Sequence, residues 1–168
     1  TMANAMLTQW EKHMTKLFID AGTGTAGAAA WSRIGKSTVF DLALNAETET
    51  LNYIEDQMPT DVIKNYKPTM AQELYTLAGD PAFDVLYGKF YDLPTGSDAD
   101  IKVLIVFPKA GTTAGTFQAW QVTATLIINN YNPVDKKLTF NLNFSGDISR
   151  GTVALTSGVP AFTANASA

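Results

Sequence analysis

The chain has 168 residues, a length suited to one domain with one hydrophobic core and short for two. Only 17% of the residues are charged, against roughly 25% in a typical soluble protein, so much of the surface must be uncharged or covered. No apolar run approaches the about 18 residues that span a bilayer, and no basic region followed by an apolar run opens the chain. We therefore expect neither membrane insertion nor export by a signal peptide. The absence of cysteine excludes disulfides and thiolate metal sites.

The formal net charge of −4 conceals an uneven distribution. Residues 1–40 carry four bases and two acids, residues 41–100 three bases and twelve acids, and residues 101–168 five bases and two acids. A nucleic-acid clamp needs clustered lysine and arginine to displace counterions from phosphates. The acidic middle therefore argues against such a clamp. It suits repulsion of DNA or a basic partner surface, with an ordinary solvated face as the alternative.

The N-terminal part predicts a helix or arm followed by strands. Apolar residues between Met6 and Leu17 recur at helical spacing without clear caps, so residues 1–14 are assigned to a helix or an arm. Runs of apolar and β-branched residues predict strands over residues 16–20, 31–35 and 38–45.

Two glycine patterns in this part imitate nucleotide-binding motifs. Gly22, Gly24 and Gly27 have the spacing of a dinucleotide fingerprint, but no helix or parallel strand unit follows them. Residues 35–37 resemble the end of a phosphate-binding loop, yet Ala30 stands where that motif needs glycine. Both patterns are interpreted as turns.

The segment 52–69 contains two prolines and large apolar residues without a period of either kind. We predict a long loop, and a loop rich in exposed apolar groups is more often an interaction element than idle. Its large apolar residues are Tyr53, Ile54, Met58, Val62, Ile63 and Tyr66.

One helix is predicted over residues 81–93. Asp80 is a good N-cap and Pro81 fits the first helical position. Phe83, Leu86 and Phe90 follow at spacings of three and four residues.

The C-terminal half predicts strands over residues 101–107, 118–128, 137–145 and 152–155. Strict alternation is clearest in residues 137–145, where every second residue is Leu or Phe. Residues 129–133 supply a turn that joins two of these strands into an antiparallel hairpin, and further turns are expected at 111–115 and 146–151. The opposite faces of the strands carry Thr, Asn, Gln and Ala, which suits contact with another subunit or the lining of a smooth channel.

No constellation of residues predicts catalysis or a cofactor. His13 is the only histidine, so a histidine-based triad or metal site would depend on one residue near the N-terminus. The acid pairs Glu47 with Glu49 and Asp98 with Asp100 have strand spacing, but no apolar surroundings that would keep one acid protonated. We predict a self-assembling structural protein and not an enzyme.

The order of several short motifs between residues 16 and 162 resembles the major tail tube protein of long-tailed, siphovirus-type bacteriophages. These motifs are Trp-Ser-Arg-Ile-Gly at 31–35, Asn-Ala-Glu-Thr-Glu at 45–49, Tyr-Ile-Glu-Asp at 53–56, Tyr-Lys-Pro at 66–68, Gly-Asp-Pro-Ala-Phe-Asp at 79–84, Leu-Pro-Thr-Gly at 93–96, the strands around Trp120 and Phe140, and Phe-Ser-Gly-Asp at 144–147 followed by Gly-Thr-Val at 151–153.

The resemblance implies a mainly β fold with one short α-helix, an antiparallel β-sandwich or barrel of tail-tube type. Its inner sheets would join into a tube in the assembly. It implies one domain over residues 15–162, with an arm at 1–14 and a flexible C-terminus at 163–168. Subunits of this family form stacked, commonly hexameric rings around a channel for viral DNA delivery, without specific DNA binding. A tape-measure protein and a tail terminator are implied partners. The implied location is the virion tail, after synthesis in the host bacterial cytoplasm.

Two groups of residues receive roles, the first by this resemblance and the second because an acidic lumen would let a polyanion slide without binding. A loop that reaches the neighbouring ring corresponds to Tyr53, Ile54, Glu55, Asp56, Met58, Pro59, Val62, Ile63 and Tyr66. Glu47, Glu49, Asp98 and Asp100 are the candidate acids of the lumen or of an interface.

Two other functions are compatible with the sequence. An inner tube subunit of a contractile injection or type VI secretion apparatus resembles tail tubes in fold. A β-sandwich ligand-binding module, for example one for carbohydrate, would use Trp31 or Trp120 as an aromatic platform, although Trp120 lies on the apolar face of its predicted strand.

Overall fold

The computed structural model describes residues 8–20 and 31–165. These residues form ten strands and one α-helix, with 3₁₀ turns at Lys12–Met14 and Gly96–Ala99. In chain order the elements are β1 (Lys16–Asp20), β2 (Trp31–Arg33), β3 (Ser37–Ala43), β4 (Ala46–Leu51), β5 (Thr60–Tyr66), β6 (Thr69–Tyr75), α1 (Pro81–Asp92), β7 (Asp100–Ala110), β8 (Thr116–Asn132), β9 (Lys137–Thr156) and β10 (Val159–Ala164).

Eight of the strands form one antiparallel sheet. Seven of them follow the order β2-β1-β7-β8-β9-β6-β3. The twenty-residue strand β9 pairs with β6 through its first half and with β10 through its last residues. Strands β4 and β5 pair only with each other, so they form a separate hairpin between β3 and β6.

The two ends of this strand order lie close together. Only residues 34–36 separate β2 from β3, and the Cα steps between those strands cover at most about 15 Å. The Ile34 N–H donates to the carbonyl of Leu17 in β1 at 2.9 Å, while the Lys36 carbonyl accepts from the Tyr75 N–H at the end of β6 at 3.1 Å. The sheet therefore curls towards a barrel, and this short link crosses its seam.

The concave side of the sheet holds the main core. Alternate residues of β6, β7, β8 and β9 point to it because side chains along a strand alternate between faces. Its fully buried members include Met70, Leu74, Val103, Ile105, Phe140 and Leu142.

The helix α1 covers this core through Ala82 and Leu86, both fully buried. As predicted, Asp80 caps its N-terminus by accepting from the Ala82 N–H at 3.3 Å. Leu93, with a φ of 48°, ends it at a left-handed residue.

The expected turn at residues 146–151 is wrong, because β9 runs through it without a break. Residues 152–155 are strand, as predicted, but they belong to β9 and not to a separate strand. Gln121 pairs with Ser149 and Thr123 with Ser145, so three residues of β9 oppose one of β8. This is a β-bulge, and Gly146 supplies the φ of 78° that it needs. The glycines therefore mark a bend inside a strand.

The turn between β8 and β9 lies later than expected. Strand β8 continues to Asn132, through most of the predicted turn at 129–133, and a register shift between Ile128 and Asn130 accommodates one extra residue of β8. The Asn132 side chain then accepts from the N–H groups of Val134 and Asp135 at 3.0 and 3.2 Å. Such a side-chain cap is a common way to start a tight turn. The antiparallel hairpin itself is confirmed.

The expectation of one long loop over 52–69 is also wrong, because only residues 52–59 lack strand structure before β5 begins. Strand β6, with Met70, Gln72 and Leu74 facing the core, was missed because a glutamine interrupts its apolar alternation. Neither Gln72 side-chain polar atom has a hydrogen-bond partner.

Three sequence predictions fall partly or wholly outside the described residues. The arm predicted at 1–14 is described only over residues 8–14, which contain the first 3₁₀ turn. The pattern of Gly22, Gly24 and Gly27 lies wholly outside the described residues. Of the C-terminus at 163–168, residues 163–165 are described, and Thr163 and Ala164 belong to β10. Across 8–20 and 31–165, no helix is long and apolar enough to cross a membrane.

Candidate self-assembly surfaces

The β4–β5 hairpin prolongs the β3–β6 pair beyond the edge of the barrel. Asn45, with a φ of 47°, marks the junction, and its Nδ2 donates to the Lys67 carbonyl at 3.1 Å and to Thr69 Oγ1 at 3.0 Å. The Lys67 N–H donates back to the Asn45 carbonyl at 3.4 Å. These hydrogen bonds connect the β3–β6 pair to the β4–β5 pair. The hairpin is therefore held in a set direction although it lies outside the core.

Both faces of this hairpin carry exposed apolar side chains. Val62 and Ile63 are neighbours along β5 and therefore point to opposite faces, with 42% and 52% of their surface exposed. Tyr66 is also exposed, as is every other residue of β5. A two-stranded hairpin with no packed face is marginally stable in water. Contact with another molecule would remove this apolar surface from water and stabilise the hairpin.

The hairpin tip, residues 52–59, combines apolar and acidic groups. Ile54 is fully exposed, Met58 is 77% exposed, and Tyr53 is half exposed. The adjacent Glu55 and Asp56 are exposed as well, and the Asp56 N–H closes a turn on the Tyr53 carbonyl at 3.1 Å. Pro59 ends the tip before β5. All nine residues assigned to a ring-stacking loop thus belong to this hairpin and are exposed; their role stays a prediction.

Two of the predicted acids pair with lysines on the same hairpin. Glu49 lies 3.0 Å from Lys64, and Glu47 lies 3.5 Å from Lys67. All four side chains are about half exposed or more, so each pair contributes little to stability. The pairs nevertheless reduce the net charge that Glu47 and Glu49 present to a partner.

The other two acids lie on a different element, next to the C-terminal end of α1. The Asp98 carbonyl accepts from Lys89 Nζ at 2.6 Å, and Asp100 Oδ1 accepts from Thr125 Oγ1 at 3.0 Å. Both residues are exposed. The four acids therefore form two separate pairs, one on the hairpin and one at the start of β7.

The convex face of the sheet carries a belt of mostly uncharged side chains. Register pairing aligns Thr69, Asn143 and Thr125 in one row across β6, β9 and β8, and the charged Asp100 of β7 stands at the end of that row. A parallel row contains Ala71, Asn141 and Ile127. At the margin, Lys137 Nζ donates to Glu73 at 2.7 Å, and this hydrogen bond raises the pKa of Lys137 above its ordinary 10.5. The belt agrees with the uncharged second faces expected from the sequence.

A basic cleft of about 550 Å³ opens beside the barrel seam, a site that the sequence did not predict. Its polar and apolar lining includes Lys12, His13, Arg33, Thr38 and Phe40. Arg33 Nη2 donates to the His13 carbonyl at 3.4 Å, which connects the N-terminal turn to β2. The Phe40 side chain is 42% exposed at the cleft. The surplus of bases in residues 1–40 was the available signal, but only the curled sheet brings these bases together.

The described residues contain no arrangement that suggests catalysis. No group of three His, Asp or Glu residues within them could hold a metal ion. The two tryptophans considered as ligand platforms are partly buried: Trp120 packs edge-on against Phe107 with ring centroids 5.1 Å apart, and Trp31 packs against a second buried cluster that contains Phe18 and Leu104. Both rings therefore take part in packing, which is the more common role of a partly buried tryptophan.

No protein-family model matches the sequence, and no curated protein matches it. Solved structures do share its fold. One, described as the tail of an empty GTA particle computed with helical refinement and C6 symmetry, superposes with a TM-score of 0.53 at 12% identity. The match covers 84% of this chain and 98% of that chain. The fold resembles that of a chain in a GTA particle tail.

A second solved structure comes from the anti-feeding prophage (AFP) baseplate, 6-fold symmetrised. It is 10% identical, covers 86% of this chain and 97% of that chain, and has a TM-score of 0.45, too low to support an argument. The predicted fold class, mainly β and antiparallel with one helix, is confirmed by the GTA match and by the strand pairing described above.

Proposed function

We propose that this chain is the repeating structural subunit of a tail tube, in which stacked rings form a channel for DNA. The role is assembly and not catalysis. The fold shared with a chain of a GTA particle tail supports the tube, and the C6 symmetry of that tail is the reason for proposing six subunits a ring.

The observation that carries this proposal is the β4–β5 hairpin. Its strands have no packed face, its tip exposes Ile54 and Met58, and hydrogen bonds at Asn45 fix its direction. Such an element is marginally stable by itself and is stabilised further when another molecule covers it. In a stack of rings that molecule is the next subunit, so the nine residues from Tyr53 to Tyr66 named above would form the ring-stacking contact.

Passage of DNA is the finer part of the proposal. A channel for a polyanion must avoid phosphate contacts that release counterions, because each adds affinity and therefore friction. The uncharged belt on β6, β8 and β9 meets this requirement. Asp98 and Asp100 at its margin are better lumen candidates than Glu47 and Glu49, whose charges are offset by Lys67 and Lys64. The inner sheets of neighbouring subunits would then join around the channel.

The remaining assignments follow from the family resemblance. We propose a siphovirus-type virion tail as the location, reached after synthesis in the bacterial cytoplasm. The proposed partners are further copies of the chain, a tape-measure protein and a tail terminator.

Electron microscopy of the purified protein tests the proposal. At protein concentrations above the assembly threshold, the images are expected to show rings and hollow tubes with sixfold end views. A monodisperse monomer at high concentration, with neither rings nor tubes, would contradict it. Tubes found inside a sheath in the native particle would instead assign the chain to a contractile apparatus.

A further inference from the structure

We propose that the hairpin tip docks into the basic cleft of a second copy of this chain. The inference rests on the proposed tube, because it identifies the surface at which one ring would receive the next. The contact would join Ile54, Glu55 and Asp56 of one subunit to Lys12, Arg33 and Phe40 of its neighbour.

The positions of the two surfaces along β3 favour this contact. The basic cleft borders the beginning of β3, whereas the hairpin leaves from its end at Ala43. At about 3.3 Å per residue, Ser37 at the start of β3 lies roughly 20 Å from Ala43, and Phe40, the cleft residue farthest along β3, lies roughly 10 Å from it. Because the hairpin continues the β3–β6 ladder away from the cleft, its tip points away from the cleft of its own subunit. Two different surfaces at opposite ends make a heterologous contact, which repeats from copy to copy in one direction.

The charges of the two surfaces are complementary. Residues 46–66 contain five acids and one base, and Glu55 and Asp56 at the tip have no basic partner among the described residues. The cleft presents Lys12 and Arg33, and His13 Nδ1 at its border lies 3.3 Å from the Glu11 carboxylate. Opposite potentials on two surfaces steer their encounter and fix their register.

Apolar groups lie at both surfaces as well. Ile54 projects fully into solvent from the tip, and the half-exposed ring of Phe40 borders the cleft. An apolar centre surrounded by a polar and charged rim is the common anatomy of a protein interface. The cleft volume of about 550 Å³ can accept such a side chain together with a neighbouring carboxylate.

A charge-swap experiment tests the contact in full-length protein. Glu55→Lys with Asp56→Lys, and separately Lys12→Glu with Arg33→Glu, should each raise the concentration at which tubes appear about tenfold or more, while rings persist. The two sets combined should restore tubes, because the attraction is re-formed with reversed sign. The matched controls are Asp92→Lys and Lys109→Glu, exposed charges on α1 and β7 that should leave tube formation unchanged. Circular dichroism verifies that each variant is folded.

Crosslinking tests the same contact by position, and the chain suits it because it contains no native cysteine. Glu55→Cys combined with Thr38→Cys should give a ladder of covalent oligomers on a non-reducing gel after tubes are oxidised. Glu55→Cys combined with Asp92→Cys is the control and should remain mostly monomeric.

The outcomes separate this inference from the proposed function. If the unmodified chain forms no tubes, the proposed function fails. If it forms tubes but the combined charge reversals do not restore assembly, or the two cysteine pairs crosslink equally, then the tip docks elsewhere and only the present inference is overturned.

Discussion

Gly151 is the residue whose substitution should disturb the fold most specifically. It lies buried on β9 opposite Ala164 of β10, and a Cβ added there would overlap the Thr163 carbonyl oxygen and lie 2.8 Å from the Phe162 ring. Strand β10 packs directly across this position, so only glycine allows the observed approach.

Gly151→Ala is therefore expected to lower the free energy of unfolding by about 1–3 kcal/mol, the usual range for overpacking. Gly88→Ala is the matched control: a Cβ at this helical position meets no atom within 4 Å, and the higher helix propensity of alanine should stabilise α1 by up to about 1 kcal/mol. Urea unfolding of both variants measures the difference. Equal effects of the same sign would contradict the packing described for β10.

Single residues also show what could be predicted from sequence. The cap Asp80 and the helix start at Pro81 were predictable because capping is a local interaction. From the sequence alone Gly146 indicates a turn, because a positive φ suits a turn and a β-bulge equally well. Only the pairing of β8 with β9 distinguishes the two. Strand β6 could not be predicted for another reason. Its buried Gln72, which has no hydrogen-bond partner, interrupts the alternation of apolar and polar residues on which strand prediction depends.

Among the elements, the hairpin is independent of the core. Its residues are exposed, apart from a partly buried Leu51, and β4 and β5 pair only with each other. The domain should therefore fold without it, whereas assembly should not survive its loss.

Replacing residues 46–66 by Asn-Gly tests this independence. Asn45 and Lys67 already face each other through a backbone hydrogen bond, and Asn-Gly is a favoured two-residue hairpin turn. We expect the midpoint of thermal unfolding of the dilute protein to change by no more than a few degrees, and tubes to disappear from electron micrographs. A shortened protein that still forms tubes would remove the hairpin from the assembly contact. An Ile54→Ser variant offers a milder change with the same expected direction.

Whether a strand could be predicted depended on how its apolar side chains are distributed between its two faces. Strands with one apolar face, such as the first half of β9, alternate cleanly and were predicted. Strand β5 has apolar side chains on both faces, and β4 has few on either face. Neither strand therefore shows the alternation of apolar and polar residues that predicts a strand. The hairpin residues could thus be identified as an exposed apolar segment while their strand structure could not.

At the scale of the molecule, assembly should make stability depend on concentration. A partner that binds only the folded state raises the apparent unfolding temperature by mass action. The unfolding midpoint of the unmodified chain should rise as protein concentration increases through the assembly threshold, and the hairpin-replaced chain should show no such rise. Added salt should weaken the effect, because the charges at the tip and cleft are exposed and screened within about 8–10 Å. A midpoint independent of concentration would contradict assembly in solution.

The candidate site could be predicted only in part at this scale. The tip residues lie close together in sequence, so their exposure could be inferred locally. The basic cleft gathers residues from the N-terminal turn, β2 and β3, and it exists because the link of residues 34–36 crosses the barrel seam. A surface made by long-range closure leaves no local pattern.

The continuity of the hairpin with β3 and β6 has a mechanical consequence. A pull on the tip along the hairpin would load β3 and β6 parallel to their length. The pull would move β3 and β6 in the same direction, so the seven register pairs of β6 with β9 would share the force, since sliding a strand lengthwise strains its hydrogen bonds together. A pull at right angles would instead open the pairs one after another. In the proposed stack of rings, the hairpin would therefore resist tension along its own length better than tension across it.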